Sequence, residues 1–277
     1  MERLVLQNGT AELHIPGSSA QSMPSRAVIE AVRKHSVHGL EEEPLPHGVR
    51  WRVRCGPTTI FIFEMEPCLR RISWLRPDSP FPFGGRALYA DFRVATPLVV
   101  LKVPFRDGKI QPRCELFYRN TPLEGLESKL YWSNLLNVSP NSFAVTAWVC
   151  TQFLGAELKK ARAKSGKPLT VNRQIDLFVE HLWGGSFNLS SEIHEGTSCF
   201  SKAVKDKVDP RVTDIERWQA ASVEDWRFIL GVKWKRTPLT VGSLIDKELA
   251  FYEQPLDLAD TSELTNVILA ENPGKGG

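Results

Sequence analysis

The chain lacks the usual marks of several enzyme classes. There is no glycine-rich phosphate loop ending in Lys-Ser/Thr, no dinucleotide fingerprint after a strand and no HExxH. A nucleophile-elbow serine is also missing, because Gly184-Gly185-Ser186 lacks the required spacing. No stretch, including Met1–Asn8, is apolar for long enough to suggest export or a membrane helix. Charge of one sign is lacking too. The 35 Lys and Arg face 32 Asp and Glu for a formal net charge of +3, too balanced for the concentrated basic footprint of a nucleic-acid binder. The densest basic cluster, Lys159 to Lys164, reads as the solvated end of a helix. Cysteine is sparse and odd in number: Cys55, Cys68, Cys114, Cys150 and Cys199. No CxxC or Cys/His ligand spacing joins them, so neither a zinc site nor a disulfide framework is expected. The expectation is a cytoplasmic protein with reduced thiols and no cofactor.

What is present suits a globular chain. At 277 residues, 42% hydrophobic and 24% charged, the polypeptide can bury a large core. Weak alternation around Asn8-Gly9 predicts an N-terminal hairpin. Ser22 or Ser25 can cap a following helix with Val28, Ile29 and Val32 on its apolar face. Glu41 to Pro46 reads as a linker. Strands are predicted over 49–55, 58–65, 70–75, 88–94, 97–103 and 114–118 from β-branched and aromatic alternation between turn signals. With no helices between them, they imply an antiparallel meander. The Pro/Gly loop 77–85 carries aromatics that suggest it packs on something. Helical spacing returns over 156–163 and, strongly, over 171–183, where Ile175, Phe178, Val179, Leu182 and Trp183 share a face. That helix should stop at Gly184-Gly185. Helices are also expected near 213–220, 222–230 and 241–252, with Trp218, Trp226 and Trp234 as core anchors, and a flexible tail follows. The fold class is α+β, an antiparallel meander with flanking helices. Its divisions are a hairpin and helix (1–47), an α+β core (48–200) and a helical C-terminal extension (201–277).

The chemistry centres on Thr121–Gly155. An irregular segment carrying Asn134 and Asn137 precedes Cys150, which ends the apolar run Ala147-Trp148-Val149. A free cysteine in such a run is commonly a packed strand residue. To act as a nucleophile it needs exposure and surroundings that stabilise thiolate. The amides beginning near Gly155 could polarise it, and Asn134 or Asn137 could donate to an oxyanion. The bland alternative is that these asparagines shape turns. His181 and His194 are the downstream imidazoles, and without patterned acidic neighbours both default to ordinary histidines.

Three passages carry a family resemblance. Glu64 to Trp74 is a strand, proline and basic-then-tryptophan passage; Tyr131 to Cys150 runs from proline and asparagine to cysteine; Phe178 to Asn188 is a helix followed by Ser186-Phe187. Together they resemble the ubiquitin-conjugating enzyme fold, and within it the bacterial PRTRC-system protein B family. The likeness spans roughly residues 50 to 190. The family's usual His-Pro-Asn is replaced by Trp132-Ser133-Asn134 or Leu135-Leu136-Asn137, and the step to Cys150 is longer. The resemblance implies that a ThiF-type adenylating enzyme passes a ubiquitin-like protein to Cys150 as a thioester. An amine then attacks, with Asn137 or Asn134 stabilising the oxyanion. A JAB-type peptidase is a further implied associate, and neither nucleic acid nor membrane is implied. A non-catalytic scaffold of the same fold, binding a partner through loop 77–85 and the Trp-rich C-terminus, is the alternative. A cysteine hydrolase is the third reading and needs an imidazole beside the thiol.

Overall fold

A computed structural model describes residues 46–81, 84–141 and 145–252, together with the backbone of 3–7, 10–14 and 21–24. The chain divides into two units, residues 1–44 with 250–277, and residues 45–249. In the first, β1 (Arg3–Gln7), β2 (Thr10–His14) and β3 (Gln21–Pro24) form an antiparallel sheet. Gln7 pairs with Thr10, the register expected of a two-residue Asn-Gly connection. Ser22 lies inside β3 and therefore caps no helix. Ser25, the apolar positions 28–32, the linker from Glu41 to Leu45 and the C-terminal tail fall outside the described residues.

The second unit is built on a mostly antiparallel sheet. Its strands are β4 (Val49–Cys55), β5 (Thr58–Met65), β8 (Leu98–Arg106), β10 (Glu115–Arg119), β13 (Thr146–Val149) and β12 (Val138–Asn141), in the order β12-β13-β10-β8-β5-β4. The short β9 (Lys109–Ile110) pairs with β8, and β11 (Lys129–Trp132) joins β10 to β15 (Arg236–Thr240). The outer edge of β10 is thus shared: Glu115 pairs with Trp148 of β13, while Phe117 and Tyr118 pair with Trp132 and Tyr131 of β11.

One correction concerns the meander. The strand after β5 does not pair with it. Instead β6 (Cys68–Leu75) and β7 (Tyr89–Thr96) leave as a hairpin into a separate sheet, and β5 pairs with β8. Side-chain character explains the exchange. Leu98 to Phe105 is buried without interruption, as a sheet centre demands. Arg71 and Asp91, by contrast, meet on an exposed face of the β6–β7 hairpin. The loop after β6 packs as expected through half-buried Phe81, with the Ser79 hydroxyl accepting the Leu88 N–H. Residues 82 and 83 lie outside the described set.

The helices α1 (Leu154–Ser165) and α2 (Val171–Gly184) match their predicted spans closely. The first ends at Gly166 in the left-handed region. The second ends where Gly185 passes close to the His181 carbonyl, a space that a Cβ would overfill at 2.8 Å. The short α3 (Ser190–Glu195) and α4 (Cys199–Lys205) follow, then α5 (Ile215–Glu224) and finally α6 (Val241–Tyr252).

Residues 201–249 are woven into this unit, not appended to it. Strand β15 completes the sheet beside β11. Trp218 on α5 is fully buried and donates its indole N–H to the Ala95 carbonyl of β7 at 2.9 Å. Trp234 packs edge-on against Tyr118, while Trp226 is half-buried. The helix expected over 222–230 is instead a 3-10 turn at Trp226–Gly231. Extended Asp225 ends α5, and its carboxylate accepts the Arg227 N–H. Among the described residues, no helix is long and apolar enough to cross a membrane.

Candidate functional site

The step from Asn137 to Cys150 is a β-hairpin. Val138 pairs with Val149, Ser139 with Trp148, Pro140 with Ala147 and Asn141 with Thr146. One position beyond that ladder, the Cys150 N–H donates to the Asn137 carbonyl at 2.9 Å. The two residues are distant in sequence and are adjacent backbone partners in space. Cys150 leaves the strand half-buried, and the turn into α1 closes immediately, with the Leu154 N–H donating to the Thr151 carbonyl.

The Asn137 side chain points at a third segment. Its amide donates to the Ser186 carbonyl at 3.0 Å, and its oxygen accepts the Asn188 N–H at 2.9 Å. Both ends of the amide are therefore engaged with backbone, as a strand neighbour would engage it. Asn134 is fully buried and donates to the Val212 carbonyl at 2.7 Å. Neither asparagine lines the cleft at Cys150. Their side chains do not shape local turns either: each ties its segment to backbone 49 to 78 residues away along the chain.

That cleft is open, with a volume of about 330 Å³. Cys150, Gln152, Ser139 and Trp148 form one side. The other is α3, which contributes Ser190, Ser191, His194 and Glu195. This spacing follows from helix geometry, since residues four apart share a face. The helix is short but anchored at both ends. At its start the Asn188 carboxamide oxygen accepts the Ser190 N–H at 2.8 Å, and Asn188 is itself tied to Asn137. Past its end, Gly196 is left-handed, Glu192 accepts from both the N–H and the hydroxyl of Ser198, and the Ser139 hydroxyl donates to the Thr197 carbonyl. Among the described residues, the side chains of Cys150, His194 and Glu195 have no hydrogen-bond or ion-pair partner.

The other cysteines differ. Cys114 and Cys199 are completely buried. Burial pushes the Cys199 thiol up to about 12 and raises Cys114 further, so both stay protonated and inert. Cys55 is exposed and Cys68 half-buried, at opposite ends of strands in different sheets. The second imidazole, His181, sits in a separate groove between α1 and α2, with Nδ1 3.2 Å from a Glu157 carboxylate oxygen. Among the described residues, no group of three or more His, Cys, Asp or Glu is placed to hold a metal ion.

In the sequence His194 defaults to an ordinary histidine, and Glu195, Gln152 and the serines belong to no motif. Ser190, Ser191, His194 and Glu195 recur at i, i+1, i+4 and i+5, a polar stripe that was the available signal. Comparison with family models, with curated proteins and with solved structures finds no match to this chain.

Proposed function

We propose that this chain is a ubiquitin-conjugating-like protein. Cys150 accepts the C-terminal acyl group of a ubiquitin-like modifier from a ThiF-type adenylating enzyme and passes it to an amine. In the first step the Cys150 thiolate attacks the donor's thioester carbonyl; a new C–S bond forms and the donor's thiolate leaves. In the second, an amine displaces Cys150 and an amide results. The observation that carries this reading is the half-buried Cys150 lining an open cleft that His194 also lines, its side chain unengaged among the described residues.

A second observation supports the family resemblance. The first and second of the passages that carry it both contact the third. Trp74 of the first stacks on Phe187 of the third with ring centroids 5.7 Å apart, in a parallel pairing of β6 with β14 (Ser186–Phe187). Asn137 of the second binds Ser186 and Asn188 of the third. The antiparallel sheet followed by helices is compatible with a conjugating-enzyme fold. The departure is the asparagine, whose amide is spent on backbone.

The test supplies ATP, a ThiF-type activating enzyme, its modifier and the full chain. An adduct sensitive to reducing agent should form on the wild type and vanish in Cys150→Ala. An adduct that persists in that variant, or maps to Cys55 or Cys68, overturns the assignment. The scaffold reading draws on the same engagement of both asparagines, and it predicts a modifier-system complex whose affinity is unchanged by Cys150→Ala.

A further inference from the structure

We infer that His194 is the general base that takes the proton from the attacking amine when the acyl group leaves Cys150. This inference rests on the thioester reading of Cys150. An amine that attacks a thioester must shed a proton, and the sequence order offers no base for it. The fold supplies one from a segment far along the chain, because α3 is laid against the hairpin that ends in Cys150.

His194 is exposed on α3, and three features bear on its role. It lines the same cleft as the only cysteine there. Its helix is pinned before and after by Asn188, Gly196 and Ser198, so the imidazole is carried on a fixed mount. The side chain has no partner among the described residues, which leaves a ring nitrogen available for proton transfer.

Glu195 is the other titratable group on the helix facing Cys150. Adjacent helical residues diverge by about 100° and do not face each other, so Glu195 is not placed to orient the ring. A carboxylate is also a weaker base than an imidazole and is less matched to neutral operation.

The proton accounting is closed. The amine nitrogen forms its bond to the acyl carbon, and the tetrahedral intermediate collapses with the C–S electron pair going to sulfur. The amine proton moves to the imidazole and from there to the Cys150 thiolate. Amide and thiol are the products, and no other reactant is consumed.

A chemical surrogate tests the step without the modifier. The full chain is acetylated with 4-nitrophenyl acetate and desalted, and lysine is added. Loss of acetyl from the Cys150 peptide is then followed by mass spectrometry across pH. His194→Gln should slow discharge by about 100-fold or more, the usual scale for general base catalysis. With rates expressed per free amine, it should also flatten the fall in rate that the wild type shows as pH is lowered. Glu195→Gln should discharge close to wild type. Wild-type discharge in His194→Gln overturns the base assignment while leaving the thioester reading to the charging assay. If Cys150 cannot be acetylated although Cys55 is, the reading of Cys150 fails, and the base fails with it.

Discussion

Two groups of chemistry-bearing side chains, one around Lys102 and one at Cys150, differ in burial and in how their bonding capacity is used. At Lys102 the cluster is closed. The lysine is fully buried at the sheet centre, 2.5 Å from the cross-strand Glu115 carboxylate and in contact with the Glu248 carboxylate on α6. Arg113 reaches Glu248, and Glu115 also accepts the Ala147 N–H of β13 at 3.0 Å. Lys247 borders the group, and burial holds its ammonium below the usual lysine range. At Cys150 the cluster is open: a thiol, an imidazole and a carboxylate share a cleft, and none is engaged among the described residues. The first group has the more conspicuous charges and no freedom to act. Residue type alone would have ranked them the wrong way round. Exposure and unspent bonding capacity separate a strut from a site.

The comparison is broken most forcefully at the strut. Lys102→Met leaves Glu115 and Glu248 buried without their cation and should cost about 3–5 kcal/mol, measured by denaturant unfolding. A loss below about 1 kcal/mol would show that the cluster is not closed to water. The middle case joins the two regions' logic. Asn137→Ala removes two hydrogen bonds to Ser186 and Asn188, in the segment that leads into α3, at about 1–3 kcal/mol. Charging of Cys150 should persist while discharge slows, because the imidazole loses its fixed mount. Equal loss of charging and discharge would give Asn137 a direct part in the chemistry instead.

The smallest effect belongs to an exposed pair. The Arg211 guanidinium beside Asp209 holds its carboxyl below the usual carboxylate range. The folded state thus binds that proton less readily than the unfolded chain does. Its contribution is present at neutral pH and is lost as pH falls through the folded pKa of Asp209. Asp209→Asn should cost about 1 kcal/mol or less at neutral pH, with the difference from wild type vanishing in acid. A larger, acid-independent loss would place Asp209 with the struts.

Much of the frame was legible. The spans of β4, β5, α1 and α2 follow from alternation or from the 3.6-residue period, which are local properties. Pairing is not local, and the departure of β6 and β7 from the meander turns on which strand can tolerate burial on both faces. The hairpin to Cys150 was hidden for a definite reason. Pro140 argues against a strand, yet β12 is at the edge of its sheet, where a missing N–H costs no ladder bond. Strand β15 was obscured similarly by Pro238 and its basic surroundings. The order of residues leaves Asn134 and Asn137 both open as neighbours of Cys150, and the direction of the Asn137 amide depends on Ser186 and Asn188. His194 depends on six residues of helix placed by those same bonds.

The hairpin register has a consequence for chain length. Because Asn137 and Cys150 meet at the closed base of β12 and β13, residues added at the far tip leave their separation untouched. Loop-closure entropy grows only logarithmically, about 0.6 kcal/mol for each doubling of a flexible loop. The interval between an asparagine and a cysteine can therefore drift through insertion and deletion at small thermodynamic expense while the spatial pair is preserved. Sequence spacing is a poor measure of the distance between these two residues, and a search keyed to a fixed interval would miss chains built this way.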